Sequence, residues 1–175
     1  MLDKAKNSGD LTPYLRNANV RWQSFDLGDL KLMRISAKEI QEISIKHGDI
    51  VVCEGGEPGR CAVWKSHQNV VIQKALHRLR AREPLNPSFF AYQLEDAVSR
   101  GKIEQFYTGS TIKHLTGAKL KQIMLASPPL EEQDLIVAEV ERRFSVLDQV
   151  EATVSASLRR CGQLRQAVLK RAFGG

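Results

Sequence analysis

The chain has 175 residues, 42% of them hydrophobic and 26% charged, which suits one core-forming domain with an appendage and excludes two full-sized domains. Three cysteines (Cys53, Cys61 and Cys161) with no C-x-x-C pair argue against a disulfide framework or zinc site; without a membrane-length apolar run or signal-peptide core, the expectation is a soluble, cytoplasmic protein. The formal charge of +6 resides in residues 1–130, where 19 basic residues face 13 acidic ones; such a body suits a polyanion such as DNA, though many ordinary domains are also mildly basic.

Residues 1–10 are polar and read as a frayed or truncated start. Short β-like stretches follow at Tyr14 to Val20, Asp49 to Glu54, Arg60 to Lys65 and Val70 to Arg80, separated by turn residues. Gly55-Gly56-Glu57-Pro58-Gly59 reads as a hairpin connection between the second and third. Asn86-Pro87-Ser88 has the form of a helix start, and Phe89, Phe90, Tyr92, Leu94, Val98 and Ile103 give that helix an apolar face through about residue 106. Leu115 to Gln122 suggests a short helix leading into an apolar strand, Ile123 to Ala126, before Ser127-Pro128-Pro129 closes the domain. No internal repeat or low-complexity segment is present.

From Glu131 onward the chain holds seven acidic and seven basic residues, sorted by sign. All seven acids precede Thr153, joined only by Arg142 and Arg143, whereas Arg159, Arg160, Arg165, Lys170 and Arg171 follow it. Ile136, Val140, Phe144, Leu147, Val150, Val154, Leu158, Cys161, Leu164 and Val168 advance by three or four, which lines them along one helical face. Parallel pairing of two such helices sets like charges side by side, and antiparallel pairing sets each acidic head against a basic tail, so the expectation is an antiparallel coiled coil. The competing explanation, complementation of the helix macrodipole, is confined to the terminal turns and does not reach a bias spread along the whole segment.

Several segments carry groups suited to binding. Within the seven residues from Tyr14 to Val20, Tyr14, Arg16, Asn17 and Asn19 bring together a phenol, a guanidinium and two amides; Arg grips guanine and Asn grips adenine as bidentate pairs, while an Asn-rich turn explains the same residues equally well. Ser110, Thr111, Lys113 and His114 combine hydroxyls and cationic groups before a short helix, as a phosphate clamp or as a capped turn in which Ser110 or Thr111 serves the helix end. Arg60, Lys74 and His77 complete the DNA-binding candidates. The four histidines lack metal-ligand spacing, and no nucleophile has a recognisable base. Asn86-Pro87-Ser88-Phe89 is one residue from the Asn-Pro-Pro-aromatic box of amino-methyltransferases, yet no glycine-rich strand-to-helix turn is available to hold a methyl donor.

Together, "TPYLRNANV", "GDIVVCEGGEPGRCAVW", "IQKALHRLR", "GSTIKHLTGAKLKQIMLASPPLEEQDLIVAEVERRF" and "LRQAVLKRAF" resemble the specificity subunit of type I restriction-modification systems, over most of the chain. The most specific part is Pro128-Pro129-Leu130-Glu131-Glu132-Gln133 running into Ile136-Val137, with Gly109-Ser110-Thr111 upstream. The resemblance implies a noncatalytic reader of double-stranded DNA that recognises half of a split target and docks modification (methyltransferase) and restriction subunits. Methyl donor and ATP belong to those partners, so no cofactor is expected here. It also implies an α+β fold: a β-rich target-recognition domain over residues 1–129 and a spacer and dimerisation helix over 130–175. One of each stands where the family has two, and the family supplies another stretch before the Tyr-Leu-Arg motif, so the expectation is a half-subunit or fragment that pairs with a copy of itself or with a different half. A protein-interaction adaptor with a coiled-coil arm is the alternative of a different class, and a degenerate amino-methyltransferase is a third.

Overall fold

The structure, a computed structural model, describes residues 9–174; residues 1–8 and 175, and with them most of the polar start expected over 1–10, lie outside the described residues. The chain divides between Gln133 and Asp134 into two compact units. In chain order the elements are β1 (Asp10–Leu15), β2 (Val20–Arg21), β3 (Ser24–Phe25), β4 (Lys31–Ile35), α1 (Ala37–Ile43), β5 (Ile50–Cys53) and β6 (Cys61–Val63). They continue with β7 (Val71–Ile72), β8 (Leu76–Leu79), α2 (Pro87–Ser99), α3 (Gly117–Leu120) and α4 (Leu130–Phe173). The strands form two three-stranded sheets, β4-β1-β7 and β6-β5-β8, and a small β2-β3 ribbon, so the fold is the mixed α+β class.

β5 is the centre of the first unit because its four residues, Ile-Val-Val-Cys, are apolar on both faces. Val51 and Cys53 point into one buried cluster with Leu15, Trp64 and Ile72. Ile50 and Val52 point into another with Leu94, Ile103 and Leu115, largely beneath α2. Burial raises the Cys53 and Cys61 thiols above their ordinary range, the Arg60 guanidinium partly opposing the shift at Cys53, so both sulfurs act as small apolar groups.

The expected hairpin is present: β5 and β6 pair antiparallel, Ile50 opposite Val63 and Val52 opposite Cys61. Gly59 in its loop sits at φ +94°, where an added Cβ would lie 2.7 Å from a Val98 methyl, so both its backbone and its surroundings require glycine. Other expectations change. The stretch from Tyr14 to Val20 leaves the sheet after Leu15 and turns through Asn17–Asn19 as a single 3-10 turn. Val70 to Arg80 divides into β7 and β8 because a tight turn, Leu76 N–H to Gln73 C=O at 2.9 Å, interrupts it.

α2 starts where expected, with Asn86 Oδ1 accepting from the Ser88 and Phe89 amides at 2.9 and 3.3 Å and Pro87 in the first turn. It stops at Ser99, short of residue 106, followed by Gly101 at φ +68°; Ile103 still reaches the core from the turn beyond. Ile123 to Ala126 is not a strand, because the Gln93 carboxamide both accepts from the Ala126 amide (2.9 Å) and donates to its carbonyl (2.8 Å), doing the work of a neighbouring strand. The expected helix over Leu115 to Gln122 contracts to α3, capped by Thr116 rather than Ser110 or Thr111.

β4 and α1 were not expected. Their signal is legible in retrospect: Ser36-Ala37-Lys38-Glu39 is a capping box, Ser36 Oγ accepting from the Glu39 amide while Glu39 Oε2 accepts from the Ser36 amide and hydroxyl. Those bonds hold the Glu39 carboxyl below its ordinary pKa.

α4 runs 44 residues, roughly 65 Å at the usual rise per residue. No proline follows Pro129, and Gly162 is the one interior glycine, so nothing in its sequence breaks it. Its apolar residues remain largely outside any core: Leu158 is 68% and Leu164 62% exposed, and Phe144, Leu147, Val150, Val154, Cys161 and Val168 are also exposed. Within its acidic half, Arg142 and Arg143 both bond Glu139 (2.7–3.0 Å), which keeps that carboxyl at about 2. The two bases that interrupt the acidic half are thus clamped to an acid of their own helix.

Candidate nucleic-acid interface

Three loops of the first unit meet at one place: the Asn17–Asn19 turn, the glycine-rich loop after β5, and the stretch from Tyr107 to Leu115. Asn17 Nδ2 donates to the Gly55 carbonyl at 2.9 Å, and the Arg60 guanidinium donates to the Asn17 carbonyl (3.1 Å) and to Glu57 (2.8 Å). Tyr107 donates its hydroxyl proton to the Pro58 carbonyl, and the Leu115 amide donates to the Glu54 carbonyl at 2.7 Å. His77 Nε2 lies 2.9 Å from the Leu115 carbonyl and 3.7 Å from Glu54. Two atoms in this knot, Asn17 Oδ1 and Arg60 Nε, are buried and meet no hydrogen-bond partner among the described residues. Desolvation, and then the charges of Glu104 and Glu57, push the Tyr107 phenol up, so it stays a neutral donor.

The loop carrying Ser110, Thr111 and Lys113 is closed by paired bonds between Thr108 and His114, N–H to C=O in both directions at 2.8 Å. Gly109 makes the closure possible: at φ +90°, a Cβ there would sit 2.2 Å from the Ile112 carbonyl oxygen. Ser110, Thr111, Lys113 and His114 are exposed along this loop. Lys113 lies 3.7 Å from Glu104 and 5.7 Å from the centre of the Tyr107 ring, both weak, solvent-facing contacts that a phosphate can displace. Lys74 is exposed in the turn between β7 and β8, whose Ala75 carbonyl accepts from the Glu54 amide.

A second surface lies on β1 and β4, where Tyr14, Arg16, Lys31, Leu32, Met33 and Arg34 line an open groove of about 560 Å³. Lys31 and Arg34 went unnoticed in the sequence because β4 did. Leu11 and Leu32 at the same groove are 58% and 60% exposed, apolar contacts set among bases. Here Arg16 bonds Asp29 at 2.7 Å, and Lys31 bonds the same carboxylate; together they hold Asp29 below its ordinary pKa.

The early motif is therefore not one reading surface. Tyr14 and Arg16 face the groove, Asn17 joins the loop knot, and Asn19 is interior, 1% exposed. Asn19 Oδ1 accepts from the Arg16 amide at 3.0 Å and its Nδ2 donates to the Asp26 carbonyl at 3.0 Å. An amide committed at both ends inside the protein cannot reach a base edge, so Asn19 holds the turn, a correction to its expected role. Asn86 is likewise committed as the cap of α2, the work that the methyltransferase-like box performs here.

One position with no expected role ties this unit together. Gln133, 3% exposed, accepts from the Asn86 amide at 2.9 Å and donates to the Pro128 carbonyl at 2.8 Å. The Pro-Pro-Leu-Glu-Glu-Gln segment is thus a structural clasp around the start of α2.

Residues 2–158 match the type I restriction modification DNA specificity domain family. The chain belongs to that family. Among specificity subunits it is 28% identical to that of the type I restriction enzyme EcoKI of Escherichia coli K12 over 98% of this chain, and 30% identical to that of EcoBI of Escherichia coli over 84%. Those alignments cover 39% and 32% of the relatives, so the chain spans about two fifths or less of their length. The fold is shared with the HsdS subunit from Thermoanaerobacter tengcongensis, at a TM-score of 0.67 and 19% identity, covering 97% of this chain and 45% of that one. No helix among the described residues is long and apolar enough to cross a membrane.

Proposed function

We propose that this specificity-domain chain is a noncatalytic DNA reader: its first unit recognises one half of a split duplex target, and α4 spaces it from a second such unit while docking modification subunits. The observation that carries the reading is the family match over residues 2–158 on a chain whose net positive charge lies in residues 1–130. The groove of Tyr14, Arg16, Lys31 and Arg34 is the base-reading candidate; its guanidiniums suit guanine and its apolar side chains suit the thymine methyl. The Gly109–His114 loop, with Lys74, Arg60 and His77 nearer the knot, is the phosphate-positioning candidate. The exposed stripe of α4 and its sorted charges support antiparallel pairing with another helix of the same kind.

Gel shifts of the chain with modification subunits, on random and on genomic duplexes, test this. The reading predicts a sequence-dependent complex whose affinity falls steeply with salt; binding indifferent to both sequence and salt is the behaviour of a protein-interaction adaptor and contradicts it.

A further inference from the structure

Two of the cations that line the groove on β1 and β4 are already joined to one acid. Asp29 Oδ2 lies 2.7 Å from Arg16 Nη2 and Asp29 Oδ1 lies 2.6 Å from Lys31 Nζ, so each carboxylate oxygen holds a side chain of the groove wall. The acid is fixed through its main chain as well: Arg16 Nη2 also donates to the Asp29 carbonyl at 2.9 Å, and the Nδ2 of interior Asn19 reaches the same oxygen at 3.4 Å. Arg16 is held in turn by its own amide, which donates to Asn19 Oδ1 at 3.0 Å.

This arrangement treats the two parts of a duplex differently. A phosphate that approaches Arg16 or Lys31 must displace a carboxylate bonded closely on both sides or lie beside it, and like charges brought together at an interface are costly. A base edge is uncharged and offers donors as well as acceptors, so it meets no such penalty. With Nη2 engaged, Arg16 keeps Nη1, which has no hydrogen-bond partner among the described residues, as a donor. The Asp29 side chain is 61% exposed, and each of its oxygens retains a lone pair that the two cations leave unused. A donor and an acceptor side by side match the major-groove edge of a G·C pair, where guanine presents O6 and N7 and cytosine its N4 amino hydrogens.

Building on the reading of this groove as the base-reading surface, we infer that Asp29 is a specificity-determining residue: with Arg16 it accepts the edge of a G·C pair, and its charge turns phosphate away from the cations of the groove. The two basic surfaces then divide the work. Lys113, whose ion pair with Glu104 spans 3.7 Å, is open to a phosphate, whereas Arg16 and Lys31 are reserved for a base pair.

The test compares two duplexes at several salt concentrations, one enriched from a randomised pool by the unsubstituted chain with modification subunits and one scrambled from it. Asp29→Asn keeps the backbone acceptor and the side-chain shape; it is expected to bind the scrambled duplex about tenfold more tightly, with a steeper salt slope, and to narrow the gap between the two duplexes. Reselection with this variant should relax a G·C preference at one position of the half-site. Asp26→Asn removes the same charge from the same turn, from a carboxylate that pairs with Arg21 away from the groove lining, and is expected to leave the gap in place. Weaker binding of both duplexes by Asp29→Asn, an equal tightening by Asp26→Asn, or an unchanged half-site on reselection overturns the inference alone. No enrichment by the unsubstituted chain overturns the base-reading assignment of the groove, and the inference falls with it. If Asp29→Asn does not fold, Lys31→Gln poses the same question: a lysine kept from phosphate leaves the salt slope on the scrambled duplex unchanged, and a fall of about one, the change expected of Lys113→Ala, overturns the inference.

Discussion

The two units of this chain handle apolar surface in opposite ways. In the first, β5 buries both of its faces, and three of the polar side chains that fall inside, Asn19, Asp49 and Gln133, are engaged by hydrogen bonds. Asp49, 1% exposed, accepts two bonds from Arg80 (2.7 and 2.6 Å) and one from the Lys46 amide. In the second, a stripe of comparable apolar character lies open on a helix whose charges are sorted end to end. The contrast teaches that the first unit buries its own apolar residues, whereas the exposed stripe of α4 is of the kind that marks an interaction surface.

The sharpest way to break this contrast is a charge on the apolar stripe of α4. If α4 pairs with another helix as proposed, Leu147→Asp is expected to weaken that pairing by roughly 3 kcal/mol or more, over a hundredfold, because a carboxylate would be desolvated in an apolar seam. Sedimentation shifts toward single chains while the thermal transition of the first unit stays in place; loss of that transition would show that the units are not independent.

Within the first unit, Gln133→Leu is expected to cost about 2–3 kcal/mol by removing its buried hydrogen bonds to the Asn86 amide and the Pro128 carbonyl, read as a lower denaturant midpoint. Asn19→Ala follows at about 2 kcal/mol, a loss of stability in a residue that resembled a base reader. Lys113→Ala should leave stability untouched, weaken DNA binding alike for all sequences and lower the salt slope by about one. If Asn19→Ala leaves the midpoint unchanged and alters base preference, the structural role given to Asn19 is wrong.

The smallest effect concerns pH. The Glu139 carboxyl, held at about 2 against an ordinary 4.5, is a depressed acid, so its support for the helix is present above about 4.5 and is lost as pH falls toward 2. Far-ultraviolet circular dichroism should show a slight loss of helix over that window which Glu139→Gln abolishes; an unchanged acid profile in the variant removes Arg142 and Arg143 from the account.

Much of this was legible in the residues. The Gly55–Gly59 hairpin, the Asn86 start of α2 and the long helix after Pro129 follow from local rules of turn, cap and period. What stayed hidden depends on contacts distant in sequence. Ile123 to Ala126 carries a strand's apolarity, yet the backbone of its last residue, Ala126, is engaged by Gln93, 33 positions away. Asn17 and Asn19 are two residues apart in one motif, and only the fold sends one to Gly55 and the other inside. β4 and the groove it builds were hidden for a different reason: Leu32 stays exposed and only Ile35 is buried, so the strand lacks a core-facing alternation strong enough to announce it.

Selection of bound duplexes from a randomised pool, by the chain together with modification subunits, tests the account most directly. A recognition unit held at a fixed distance from a second one predicts a split target whose two half-sites are separated by a constant gap. A variable gap, a single uninterrupted site, or no enrichment at all would contradict it.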